Sequence, residues 1–210
     1  VNLFLTGTDT NVGKTYVAAR LIRALRREGV DAVGFKPLCC GGREDAELLH
    51  AASGGAISLN DVNPVWLRPP AAPYTAAMIE GRVIDLALIR DTFARLRAEH
   101  RALIVEGVGG WLVPIEREFF VRDLAAEFAL PVAIVVANRL GALNHTLLTV
   151  ESIRAAGLTC AGLIHNHPVA ATPDEAAAQA TNRAILEDLT GLPTLFDLAH
   201  GAGEIELRVG

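Results

Sequence analysis

Short apolar runs alternate with stretches of helical periodicity along almost the whole chain, and that alternation leaves few folds open to it. Asn2 to Thr6, Asp31 to Lys36, Ala102 to Glu106, Val132 to Ala137 and Thr159 to Asn166 read as strands, with a weaker sixth at Thr194 to Asp197. Between them lie Lys14 to Glu28, Asp45 to Ser53, Asp85 to His100, Val121 to Phe128, Asn144 to Ala156 and Pro173 to Thr190. These carry apolar residues three and four apart, as in Val17, Leu21, Ile22 and Leu25. Continuous apolar strands joined by helices imply a mostly parallel sheet with helices on both faces, a three-layer α/β fold. With 210 residues, a single domain over 1–210 is expected.

Composition removes several classes of function. A net charge of −5 leaves no electrostatic footprint for nucleic acid or an anionic membrane surface, so neither is expected as a partner. No stretch approaches the ~18 uncharged apolar residues of a spanning helix. Val1 to Thr6 lacks a basic leader region and runs into a glycine loop, so it reads as a first strand rather than a targeting peptide. Three cysteines, Cys39, Cys40 and Cys160, cannot all pair within one chain and show no CxxC spacing, which points to a reducing cytoplasm. Of 19 basic residues only Lys14 and Lys36 are lysines, a bias that singles out both positions.

The segment NLFLTGTDTNVGKTYVAARLI places an apolar strand before Gly7 to Gly13, with Lys14 and Thr15 opening a helix. Converging backbone N–H groups, glycines that admit a close approach and a helix N-terminus together suit a triphosphate. Lys14 is then expected to reach the β and γ phosphates and Thr15 to ligate magnesium. The spacing departs from the common phosphate loop: five residues separate Gly7 from Gly13 where four are usual, and Thr8 stands where the first glycine is common.

Lys36 ends the second strand, and Pro37 turns the chain away from any helix. Ligands of open α/β sheets sit at the carboxyl ends of the strands, where a compact ammonium can face a phosphate or carboxylate. In ALIVEGVGGW, four apolar residues deliver Glu106 to the same edge, the position of a magnesium-ordering carboxylate in phosphate-loop ATPases. Asp45 opens a helix as either a capping-region acid or a site carboxylate. NDVNPVWLRPPAAP, Asn60 to Pro73, holds four of the ten prolines. It reads as a long excursion that is no regular helix and covers the substrate side. His165 and His167 lie two apart on a strand but lack a third metal ligand. Gly141 to Asn144 offers either backbone N–H groups to an anion or an Asn144 N-cap. Gly201 to Gly210 reads as a frayed end.

Taken together, GTDTNVGKT, KPL after the second strand, Asp45, EGVGGW, GALNHTLLT and GLIHN resemble the dethiobiotin synthetases from Val1 to about Asp197. The resemblance implies a phosphate-loop fold, a homodimer and a cyclo-ligase that uses ATP, carbon dioxide (or bicarbonate) and 7,8-diaminopelargonate. A carbamate on one amine is phosphorylated by ATP, and the second amine closes the ring. It further implies nucleotide contacts at Asn11, Val12, Gly13, Lys14, Thr15, Tyr16, Asp45, Glu106, Asn166 and His167, with Asn166 reading adenine. Magnesium would rest on Thr15, Asp45 and Glu106, and catalysis on Lys36, Lys14 and Thr10. Substrate would meet Thr10, Lys36, Cys40, Gly109 and, across the dimer interface, Gly141, Ala142, Leu143 and Asn144. Cys40 departs from the serine common in the family, which weakens a hydrogen bond to the diamine. Two rivals remain at this level: a phosphate-loop ligase that activates another carboxylate, and a nucleotide-switched partition or regulatory ATPase. The latter usually carries an early lysine in its loop, and none precedes Lys14.

Overall fold

The computed structural model describes residues 1–167, 173–201 and 205. Its centre is a six-stranded sheet in the order β10-β9-β8-β1-β5-β2, built from β1 (Asn2–Gly7), β2 (Ala32–Phe35), β5 (Ala102–Glu106), β8 (Val132–Ala137), β9 (Cys160–Asn166) and β10 (Thr194–Leu198). Every pairing in it is parallel, with Phe4 beside Val105 on one side and Val132 on the other. All six residues of VAIVVA and all five of ALIVE are buried, as strands covered on both faces require.

Successive residues of β2 show how the layers form. Gly34 faces α1 (Lys14–Arg27) and α2 (Glu44–Ala52), where an added Cβ would come within 2.8 Å of Ile22 and 3.0 Å of Leu49. Phe35 faces the opposite layer, 6.4 Å from Phe93 of α5 (Leu86–Glu99) and 6.2 Å from Phe128 of α6 (Val121–Phe128). Strand alternation thus separates the layers, and the missing Cβ at Gly34 lets two helices close on the sheet edge. Phe93 and Phe128 stack at 3.8 Å, and Phe4 meets Trp111 edge-on.

β1 lies between β5 and β8, so the chain leaves the sheet centre in opposite directions from there, the place where α/β sheets open a ligand crevice. The three-layer reading of the sequence therefore holds. The proline-rich excursion is more ordered than expected. It includes most of the single-turn α3 (Leu59–Val62) and all of β4 (Val65–Leu67), which pairs in parallel with β3 (Leu38–Cys40). Pro73 then opens α4 (Pro73–Glu80) at its first position, where no amide donor is needed. A hairpin of β6 (Pro114–Glu116) and β7 (Phe119–Phe120) also escaped the sequence reading.

Helix α7 (Ala142–Ala155) starts two residues earlier than its periodicity suggested, after Gly141 at φ +89°. Asn144 is therefore inside the first turn and is not the N-cap. Of the end expected to fray, Ile205 is buried and its carbonyl accepts from Arg27, while 202–204 and 206–210 lie outside the described residues. Among the described residues no helix is long and apolar enough to cross a membrane, and no group of three or more His, Cys, Asp or Glu could hold a metal.

His165 of β9 is fully buried with neither ring nitrogen hydrogen-bonded among the described residues, and burial holds its pKa below the ordinary 6.5. The unfolded chain takes up this proton near pH 6.5 and the folded chain only below it, so stability is retained above that pH and lost as pH falls. We expect the urea midpoint to drop between pH 7.5 and 5.0, and His165→Leu to flatten that dependence. An unchanged slope in the variant would remove His165 from the acid response.

Candidate active site

The loop from Gly7 to Gly13 leaves β1 and turns back onto α1. Asn11 at φ +59° and Gly13 at φ +91° both adopt the left-handed conformation. Gly13 caps α1 without a side-chain hydrogen bond, and the first turn holds no acid, so its leading N–H groups face the loop. A Cβ on Gly13 would sit 2.2 Å from the Asn166 amide nitrogen, which donates to the Val12 carbonyl at 2.8 Å. Asn166 thus braces the loop from behind. Lys14 is buried and bends over the loop to donate to the Asp9 carbonyl at 3.2 Å. Burial, and next the Lys36 charge, lower its pKa to about 8.

Lys36 follows β2, 3% exposed, and donates to Glu106 Oε1 and, at 3.1 Å, to Asp45 Oδ2. Burial pulls its pKa down, but the Glu106 and Asp45 carboxylates more than offset that and raise it. Glu106 ends β5 and is buried, while Asp45 lies in the first turn of α2 with half its side chain in solvent. Burial pushes the Asp45 pKa up, but Lys36, the Thr15 hydroxyl and Lys14 together bring it down. Thr15 donates to Glu106 Oε1 at 2.8 Å, yet Glu106 Oε2 is buried with no hydrogen-bond partner among the described residues. A buried carboxylate oxygen left without a partner is costly. With Thr15 and Asp45 beside it, the donor set is all oxygen, which fits a hard divalent cation such as magnesium.

These groups line one cavity of about 730 Å³. It gathers Thr10, Asn11, Gly13, Lys14, Thr15, Lys36, Cys40, Asp45, Glu106 and Gly109 of the residues named from sequence. Pro70, Ala71, Ala72 and Pro73 form another wall, so the end of the excursion does border the site. Gly109 and Gly110 lie against the loop, within 3.6 Å of Thr10 Oγ1 and 3.7 Å of the Gly7 carbonyl for an added Cβ. Burial raises the Cys39 thiol to about 12 and the Cys40 thiol to about 11, so both stay protonated at neutral pH.

Other named residues fall outside the cavity. The Val12 side chain is in the core, and the Tyr16 ring is covered by the Arg20 guanidinium at 3.3 Å. His167 contacts Asp197 at 3.0 Å at the ends of β9 and β10. Gly141 to Asn144 stand at the start of α7, with Gly141 and Asn144 exposed and Ala142 buried. The sequence reading missed Asn63, which is buried and donates to the Lys36 carbonyl, and Arg43, which donates to Asn63. Their signal was slight, an Asn-Pro step and one arginine among many.

The AAA domain family model matches residues 1–199. The ATP-dependent dethiobiotin synthetase BioD of Akkermansia muciniphila is 43% identical over 209 residues, covering 99% of this chain and 96% of that protein. The chain belongs to the dethiobiotin synthetase family. The dethiobiotin synthetase of Aromatoleum aromaticum is 46% identical, across 95% of this chain and 91% of its own. Among solved structures, the septum site-determining protein MinD of Pyrococcus horikoshii, complexed with Mg-ADP, superposes with a TM-score of 0.56 at 16% identity, covering 94% of this chain and 80% of its own. A ParA family ATPase of Chlorobium tepidum gives 0.56 at 12% identity, with 94% and 84% covered. These two likenesses concern the fold.

Gly13→Ala must displace Asn166 and strain the loop at positive φ. It should weaken ATP binding at least about tenfold in a calorimetric titration. Unchanged affinity would mean that the Asn166 brace does not shape the phosphate loop.

Proposed function

We propose that this chain, acting as one catalytic domain, is an ATP- and magnesium-dependent ring-closing ligase that converts 7,8-diaminopelargonate and carbon dioxide to dethiobiotin, ADP and phosphate. The observation that carries the reading is the pair of buried lysines facing one cavity, one from the phosphate loop and one held by two carboxylates. A carbamate is an anionic nucleophile that must meet an anionic γ-phosphate, so two ammonium groups offset their repulsion and the charge that develops in transfer.

On this reading the first N–H groups of α1 and Lys14 bind the β and γ phosphates. Thr15, Asp45 and Glu106 would hold magnesium, which when bound neutralises phosphate charge. Lys14 gives up the Asp9 carbonyl for phosphate oxygens, and Lys36 turns toward the carbamate and the transferred group. Thr10 and Gly109 border the diamine, and Cys40 contacts it only weakly. The carbamate oxygen takes the γ-phosphoryl group as ADP leaves. The second amine then attacks the carbamoyl carbon of that mixed anhydride, expelling phosphate and closing the ureido ring. Asn166 and His167 flank the base, with the Asn166 amide oxygen left to accept from adenine.

Gly141 to Asn144 stand at the start of α7, where the family likeness would have the substrate carboxylate received across the interface with a second subunit, and the active protein is then a homodimer. Unpaired, unactivated thiols suit the cytoplasm.

The test is ADP release with ATP, magnesium and bicarbonate, with and without the diamine, alongside mass detection of dethiobiotin. Diamine-dependent release with matching product is expected. ATP binding without diamine-dependent turnover would transfer the assignment to a ligase for another carboxylate. Lys36→Gln should keep ATP affinity within about threefold and slow turnover at least about a hundredfold. Wild-type turnover in that variant would take Lys36 out of the mechanism.

A further inference from the structure

Lys36 is placed by main-chain bonds that the central sheet does not supply. The last β2 pairing is Phe35 with Val105, and Lys36 stands beyond it. Its N–H donates to the Val62 carbonyl at 2.7 Å, and its carbonyl accepts from Asn63 Nδ2 at 2.9 Å. Asn63 is 1% exposed, and its side chain is fully used. Nδ2 also donates to the Val65 carbonyl at 2.9 Å, while Oδ1 accepts from Arg43 Nε at 3.0 Å. The opposite amide orientation would set an oxygen against two carbonyls, so the network fixes it.

Arg43 connects this anchor to the carboxylate side. It is the N-cap residue of α2, its carbonyl accepts from Glu47 N at 3.0 Å, and Asp45 follows two residues later. Its guanidinium also donates to the Asn63 carbonyl at 2.8 Å and to Asn60 Oδ1 at 2.9 Å. The path from the Lys36 carbonyl through Asn63 and Arg43 to the start of α2 is closed by the ion pair from Lys36 Nζ to Asp45. Neither Asn63 nor Arg43 lines the cavity.

We propose that Asn63 and Arg43 are positioning residues, which fix where the Lys36 ammonium stands relative to the Asp45 carboxylate. A lysine reaches its target through four flexible carbons, so main-chain placement sets where its charge can act. A misplacement of about 1 Å costs on the order of a hundredfold in rate. The proposal rests on the reading of Lys36 as the phosphoryl-transfer cation.

A double-mutant cycle tests it. Asn63→Asp is nearly isosteric and keeps the acceptor for Arg43, but it turns the donation to the Lys36 carbonyl into repulsion. It should lower kcat for diamine-dependent ADP release about 10- to 100-fold, with the KM for ATP within about twofold. In the Lys36→Gln background the same change should cost less than about twofold, because the main-chain carbonyl remains but the ammonium whose place it sets is gone. Arg43→Ala, at a half-buried position, enters the same cycle and decides it if Asn63→Asp does not fold. Arg43→Lys should not restore turnover, since an ammonium cannot supply the forked donation. Equal fold losses in both backgrounds, or no loss in the wild-type background, overturn the proposal. Wild-type turnover in Lys36→Gln alone overturns instead the reading beneath it, whatever the Asn63 variants do.

Discussion

The arrangement depends on one buried ammonium shared between two carboxylates. Lys36 is nearly inaccessible, and Glu106, equally buried, comes from a different strand. A buried ion pair repays its desolvation only with good geometry, and removing one partner leaves the other stranded at about 3–5 kcal/mol. Here the pair is incompletely satisfied, because Glu106 Oε2 has no partner among the described residues and Asp45 is half in solvent. A purely structural ion pair gains nothing from that orphan. In the proposed reaction a divalent cation would take up that oxygen.

Several remote features keep this charge balance in place. The apolar strands deliver Glu106 and the phosphate loop to the same sheet edge because β1 and β5 are neighbours in register, Leu5 beside Glu106. The β3–β4 ladder and the Asn63 amide hold the chain after Lys36, which would otherwise leave the sheet unsupported. Asn166 holds the loop from the other side. The loop is therefore held between β9 and the segment after β5, and its two left-handed residues are kept by tertiary contacts.

Much of this was legible in the sequence because the signals are local. An apolar run of strand length, a glycine loop before a Lys-Thr pair, and a carboxylate ending an apolar strand each carry their own chemistry. Lys36 stood out through composition, being one of two lysines among many arginines. What escaped depends on tertiary partners. Prolines at 64, 69, 70 and 73 argued against a regular helix, and they fall on either side of β4 or at a helix start, where no amide donor is required. Asn63 carried no sequence signal beyond preceding a proline, and only the return of its segment to Lys36 shows why an amide stands there. Asn144 looked like a cap because its side chain suits one, but the left-handed Gly141 had already started the helix.

On the proposed function, the Lys36–Glu106–Asp45 cluster rearranges around nucleotide and metal. A crystal structure with magnesium and a non-hydrolysable ATP analogue tests it most directly. A cation is then expected at about 2.1 Å from the Thr15 hydroxyl, held by Glu106 and Asp45 directly or through water. Lys14 is expected to leave the Asp9 carbonyl for phosphate, and Lys36 to turn from Glu106 toward the γ-phosphoryl group. Bound nucleotide with Lys36 still closed on Glu106 and no cation beside Thr15 would contradict it.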